Sequence, residues 1–148
     1  MIVLVYLDSS VLARAYLGDE PGHERARGLV EGEDFVVTST LALVEVTSAL
    51  VRATRAGRVA DLETLLDKLD EETQVDGPIT LIRADQLDAE NVARQLVRDH
   101  VLRALDALHL AVAELSARPL AGDNEDVGFA SRDSAQRNAA EALGFVVV

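Results

Sequence analysis

Short apolar runs alternate with longer amphipathic stretches along this chain. Val3–Leu7, in "IVLVYL", is a continuous apolar run with β-branched residues, the pattern of a strand buried on both faces. Asp8, Ser9 and Ser10 follow, side chains suited to capping, and predict a helix over Ser9–Leu17 closed by Gly18. "PGHERARGLV" carries a second helical period from Pro21 to Val30. A strand is predicted over Phe35–Thr38, and Ser39 or Thr40 then caps a helix over Leu41–Ala56 that stops at Gly57. An amphipathic helix over Asp61–Glu72, a turn at "QVDGP" and a strand over Ile79–Ile82 come next. Helices are predicted over Ala84–Arg98 and from Val101 or Leu102 to about Ser116. "ARPLAGDNEDV" breaks the periodicity and reads as a loop. A strand over Val127–Ala130, a helix over Ser131–Leu143 and a last strand in "FVVV" complete the pattern.

Strands that are short, wholly apolar and separated by helices predict an α/β fold with a short, mainly parallel sheet flanked by helices. At 148 residues the chain has the usual size of a single domain, residues 1–148. No segment is long and apolar enough to span a bilayer, and no basic segment precedes the first strand, so a cytoplasmic protein without membrane association is expected.

Composition narrows the chemistry. Aromatics make up 3%, so the core is built from Leu, Val, Ile and Ala. With no Cys, disulfides and thiolate metal sites are excluded, and any metal must be held by carboxylates, His, backbone oxygens or water. A net charge of −12 argues against broad, charge-driven nucleic-acid binding and favours cations or basic partners.

Four acids stand out by position. Asp8 ends the first strand, where α/β sheets place their ligands, although taken alone it is better accounted for as a helix N-cap. Glu45 interrupts "TLALVEVTSALV", a helix apolar on nearly every side; with Ser48 and Arg52 it also fits a solvated stripe. Asp106 interrupts "LRALDALHLAVAEL", where Asp is a poor helix former, unless it is a first-turn acid favoured by the helix dipole. Asp133 opens the helix after a late strand, and either it or Ser131 serves as the cap. Two acids at strand-to-helix junctions and two within helices can converge at one sheet edge. Four such carboxylates repel one another unless a hard divalent cation joins them. Mg²⁺ takes oxygen ligands and keeps several waters, and a pair of such ions about 3.5–4 Å apart can promote phosphodiester cleavage.

"VYLDSSVLARAYL", "TLALVEVTSALVR", "LRALDALHLAVA" and "GFASRDSAQRNAAEALGF" together resemble the signature segments of PIN-domain proteins, in particular the VapC-type ribonuclease toxins of bacterial toxin–antitoxin pairs. The similarity runs in order over nearly the whole chain. It implies a PIN-like fold, a Mg²⁺- or Mn²⁺-dependent endoribonuclease acting on RNA, a homodimer, and a cognate VapB-type antitoxin. Asp8, Glu45, Asp106 and Asp133 fall on the family's acidic quartet, which would be both catalytic and metal-holding. Ser9 falls on the polar residue after the first acid. Ser131 falls on the hydroxyl residue two places before the last acid, placed to orient Asp133 or a water.

One departure is the long acidic loop Gly122–Asp126, whose Asp123, Glu125 and Asp126 are either outer metal ligands or solvated. His109 reads as a core histidine beside a helix contact, and His23 and His100 as surface residues. Arg14, Arg52 and Arg132 are candidate RNA contacts, with Arg55 and Arg58 weaker ones, by sequence proximity to the acids. The rival readings are a non-catalytic PIN-like protein-binding module and a phosphoryl-transfer or receiver-type protein. The second lacks support, since the first acid is followed by Ser9 and Ser10 and the only lysine is Lys68.

Overall fold

The computed structural model describes residues 1–148. Its strands are β1 (Ile2–Leu7), β2 (Phe35–Ser39), β3 (Ile79–Ile82), β4 (Asp126–Ala130) and β5 (Val146–Val147). They form one sheet in the order β3–β2–β1–β4–β5, with every neighbouring pair parallel. The sheet expected to be mainly parallel is wholly so. The α-helices are α1 (Ser9–Arg14), α2 (His23–Glu31), α3 (Thr40–Arg55), α4 (Leu62–Glu72), α5 (Gln86–Asp99), α6 (Ala104–Val112) and α7 (Ser134–Ala142).

β1 is the central strand, and Leu4, Val5, Tyr6 and Leu7 are all buried. Each such side chain contributes about 1.5–3 kcal/mol of hydrophobic free energy, which fixes β1 in the middle. Its side chains alternate between two cores, as a pleated strand requires. Val5 and Leu7 join Leu12, Val30, Val46, Leu50 and Leu69 under α1–α4. Leu4 and Tyr6 join Ala93, Leu96, Leu110 and Ala140 under α5, α6 and α7. Tyr6 stacks on Phe129 at 5.3 Å between centroids, so two of the few aromatics fill the second core together.

The chain moves from β1 outward through β2 to β3, then crosses back to place β4 on the other side of β1. In a doubly wound sheet the connections therefore part at the carboxyl ends of β1 and β4, where such folds open their ligand crevice. Asp8 leaves β1 there, and its backbone N–H donates to the Ala130 carbonyl at the end of β4, 3.0 Å away.

Several boundaries differ from expectation. α1 ends at Arg14 because the chain turns there to bury Tyr16 and Leu17. α7 begins at Ser134, with Asp133 rather than Ser131 as its cap, accepting from the Gln136 N–H at 2.9 Å. α3 is not buried all round, since Val44 and Ser48 face outward. The predicted helix to Ser116 is α6 followed by a π-helical turn over Ala113–Ala117. The expected loop then starts as a 3-10 turn, Arg118–Leu120. Arg118 anchors that turn by lying 4.2 Å over the Phe145 ring and donating to the Leu143 carbonyl. The acidic loop is at the far edge of the sheet. Asp126 pairs with the Met1 amine at 3.2 Å, and Glu125 accepts from the Gly122 N–H. Neither acid is an outer metal ligand, because β4 carries them to the amino end, away from Asp8.

Candidate active site

Asp8 is 2% exposed. One carboxylate oxygen accepts from the Ser10 hydroxyl at 2.7 Å and the Val11 N–H at 3.1 Å, so the cap reading is correct as far as that oxygen goes. Burial pushes this carboxyl above its ordinary value, against the opposing pull of those two donors. A buried carboxylate that burial destabilises is one that a nearby cation would relieve.

Glu45 projects from α3 and is held by His109 of α6, Nε2 to Oε1, at 2.5 Å. The other ring nitrogen meets the Tyr6 hydroxyl at 2.8 Å. Burial drives the Tyr6 pKa far up, so the hydroxyl keeps its proton. The imidazole is thus held between the Tyr6 hydroxyl at Nδ1 and the Glu45 carboxylate, which accepts from Nε2. Burial works to raise the Glu45 pKa, but hydrogen bonding to His109, with Ser9 and the charge of Arg103 behind it, holds the carboxyl below its ordinary value. His109 is a core histidine, as its sequence suggests. It is also the residue that aims Glu45.

Asp106, in the first turn of α6, and Asp133, at the cap of α7, share one guanidinium. Arg103 Nε lies 3.1 Å from Asp106, and its Nη2 lies 3.5 Å from Asp133. The charges of Asp106, Asp133 and Glu45 all act on Arg103 and raise its pKa. Ser131 sits behind this pair. Its hydroxyl accepts from the Asp133 N–H at 3.0 Å and donates to Gln136 Oε1 at 2.7 Å. Gln136 is fully buried and spans to the Asp106 carbonyl, tying α7 to α6. Ser131 thus orients Asp133.

Charge links Glu45, Asp106 and Asp133 through Arg103, and Asp8 is connected to them only indirectly, through Ser131 and His109; the side chains are not poised as a chelate. No three Asp, Glu or His groups stand close enough to hold a metal ion. The donor set still suits Mg²⁺ or Mn²⁺, being all carboxylate and hard. Arg103 marks where positive charge settles between two of them. It is 81% exposed, so it can leave that position freely.

The arginines divide otherwise than sequence proximity suggested. Arg52 lines a cleft of about 460 Å³ with Ser9, Glu45 and Ser48, and donates to Ser48 at 2.7 Å. The solvated stripe and the site wall are thus the same surface. Arg14 is tied to the Ser10 and Pro21 carbonyls and borders the cleft. Arg132 points the other way, toward Gly22. Arg58 pairs with Asp19 and Glu20 outside the site, and Arg55 is exposed with no ion pair. Arg103, His109, Tyr6 and Gln136 were missed as site residues. An i,i+3 spacing to Asp106 was the available signal for Arg103 and His109; Tyr6 and Gln136 carry none.

The chain is similar to known proteins over most of its length. The PIN domain family model matches residues 5–141. Ribonuclease VapC45 of Mycobacterium tuberculosis is 36% identical over 112 residues, 74% of either chain. Among solved structures, M. tuberculosis VapC20, a sarcin–ricin loop cleaving toxin, superposes with a TM-score of 0.65 at 19% identity, covering 96% of both chains. VapBC2 of Rickettsia felis, bound to a promoter DNA fragment, gives 0.61 at 10% identity, covering 98% of this chain and 97% of that one. With the family's match spanning nearly the whole sheet and its carboxyl edge, the chain belongs to the PIN-domain family.

Proposed function

We propose that this chain is the toxin of a VapBC-type toxin–antitoxin pair, an endoribonuclease that uses Mg²⁺ or Mn²⁺ to hydrolyse RNA phosphodiester bonds. The observation that supports this reading is that Glu45, Asp106 and Asp133 all act on one exposed guanidinium, Arg103, while the buried Asp8 is influenced by Ser131 and His109, the same residues that hold Asp133 and Glu45. The ribonuclease relative and the toxin–antitoxin neighbours support the same reading.

Asp8, Glu45, Asp106 and Asp133 would hold the metal. When bound, it supplies an activated water and charge stabilisation at the scissile phosphate. The chain's own part is positional. Tyr6 and His109 fix Glu45; Ser10 and Val11 fix one oxygen of Asp8. Ser131 and Gln136 fix Asp133 against Asp106. Arg103, exposed beside Asp106 and Asp133, would be placed to pair with a phosphate oxygen.

The antitoxin would present a basic side chain to the acids and apolar anchors to the cleft formed by Ala13, Leu17, Val44 and Leu105. Self-association as a homodimer belongs to the same proposal and is read by light scattering. No helix is long and apolar enough to cross a membrane. The test is cleavage of RNA with Mg²⁺ or Mn²⁺ and with chelator. Metal-dependent cleavage that Asp8→Asn removes supports the proposal. Equal growth arrest by parent and Asp8→Asn at equal abundance overturns it, and tight antitoxin binding without any cleavage would mark a non-catalytic PIN-like module.

A further inference from the structure

A second pocket, of about 180 Å³, lies on the other side of α1 from the cleft beside Glu45. Arg14, Arg25, Arg132 and Arg137 line it together with Val148, and no acidic side chain does. That is unusual in a chain of net charge −12. Arg14 has Glu20 3.8 Å away, but Arg25, Arg132 and Arg137 form no ion pair. The four come from three separate segments: α1, α2, and the β4–α7 turn with α7. Tertiary folding has gathered positive charge where neutralising acids were plentiful elsewhere.

The pocket is built, not merely exposed. Gly22, at φ +88°, leaves the space in which the Arg132 guanidinium sits, and a Cβ there would collide with it. The Arg132 backbone N–H is pinned by the Ser10 hydroxyl, which also bonds Asp8. Ser131, which orients Asp133, forms part of the pocket wall. Arg14 borders both this pocket and the cleft beside Glu45. The arginine pocket and the acidic edge are therefore neighbours across a shared wall.

We propose that this pocket is a backbone-phosphate subsite for the RNA strand, seating a phosphate next to the one presented to the acids. This rests on the ribonuclease reading above. Guanidinium groups pair bidentately with phosphate and stay charged at every working pH. A strand carries phosphates at regular spacing, so one bound at the carboxylates brings another toward Ser131 and Arg132. The pocket offsets the repulsion between RNA and an acidic protein just where the strand must lie. An acidic peptide has no such reason to span both regions.

The experiment measures binding of a fluorescent single-stranded RNA by anisotropy, in chelator, for the parent and for Arg25→Ala/Arg137→Ala. Steady-state cleavage is measured in Mn²⁺ for the same pair. The double variant should bind RNA at least roughly tenfold more weakly, the scale of removing a charge-assisted hydrogen bond. Its KM should rise with little change in kcat. The slope of log K against log salt should shrink by about 0.7 for each phosphate that is no longer neutralised. Gly22→Ala should weaken binding in the same direction by displacing Arg132. Unchanged RNA affinity and salt slope in the double variant overturn the proposal. So does a variant that binds RNA normally but loses affinity for inorganic phosphate or for a polyglutamate peptide, which makes the pocket a free-anion or protein site. If RNA binds through the pocket yet the parent cleaves nothing, the subsite stands and the nuclease reading falls.

Discussion

Arg27 and Arg103 each hold two carboxylates, one between α2 and α4 and the other at the carboxyl edge of the sheet. Arg27 is 12% exposed and grips Glu72, 14% exposed, through two parallel bonds of 2.8 and 2.9 Å, while also bonding Glu31. Its guanidinium lies 5.8 Å from the Tyr16 ring centroid. Arg103 touches Asp106 with one nitrogen and Asp133 at 3.5 Å with another, from an exposed position. The first cation is enclosed by its partners and makes a joint between helices. The second is a loose cover over acids that outnumber it. A carboxylate's role here follows from how well its partner is buried, not from the pairing itself.

The largest effect expected is at Asp8. Asp8→Asn should remove metal-dependent RNA cleavage while keeping a competent helix cap, since Asn caps as well as Asp. In chelator at neutral pH the variant should also melt above the parent, because it relieves a carboxylate that burial destabilises. A lower melting temperature would make Asp8 a structural acid like Glu72.

Next comes the contrast between the two arginines. Arg27→Ala strands Glu72 in a mostly buried setting and should cost about 2–3 kcal/mol, the loss of a buried partner reduced for partial exposure. In thermal melts that is roughly 5–10 °C for a domain of this size. Arg103→Ala should leave the melting temperature in chelator almost unchanged. Equal losses at the two sites would erase the distinction.

The pH dependence should carry opposite signs. Arg27 holds the Glu72 carboxyl below its ordinary value, so the stability it contributes is present above the unfolded-state pKa and is lost as pH falls through the folded one. Asp8 is raised, so the folded chain binds its proton more tightly than the unfolded chain. Its penalty appears as pH rises through the interval from the unfolded to the folded pKa and is absent below both. The destabilisation by Glu72→Gln should therefore shrink on acidification, and so should the stabilisation by Asp8→Asn. A pH-independent difference in either pair would contradict its assigned cause.

The smallest effect expected is from Tyr6→Phe, which leaves His109 Nδ1 without its hydrogen-bond partner. Loss of that partner behind Glu45 should lower cleavage about tenfold, as removal of outer partners of a site commonly does. In the same variant, metal affinity measured by Mn²⁺ titration should weaken. No change in either would reduce His109 to packing.

Local pattern was enough to predict the alternation of strands and helices, the central burial of β1 and the four acids by position. These follow from hydrophobic period and from charges out of place in apolar surroundings, and both are properties of neighbouring residues. Glu45 and Asp106 were visible because each interrupts an apolar helix. The resemblance to a known family then gave those acids a common purpose.

Other features depend on residues far apart in sequence. His109 reaches Glu45 across 64 positions and Tyr6 across 103, and no local period encodes either contact. Arg132 follows the fourth strand as closely as Asp133 does, yet the turn sends it away from the acids to join Arg25 and Arg137. The acidic loop looked relevant because of its charge, and strand direction placed it at the wrong end of the sheet. The sequence by itself determined which segments are buried and which charges are anomalous, because burial and propensity act within a few residues. Only the tertiary structure decided which charges meet, because that depends on strand order and on the direction in which each turn releases its side chains.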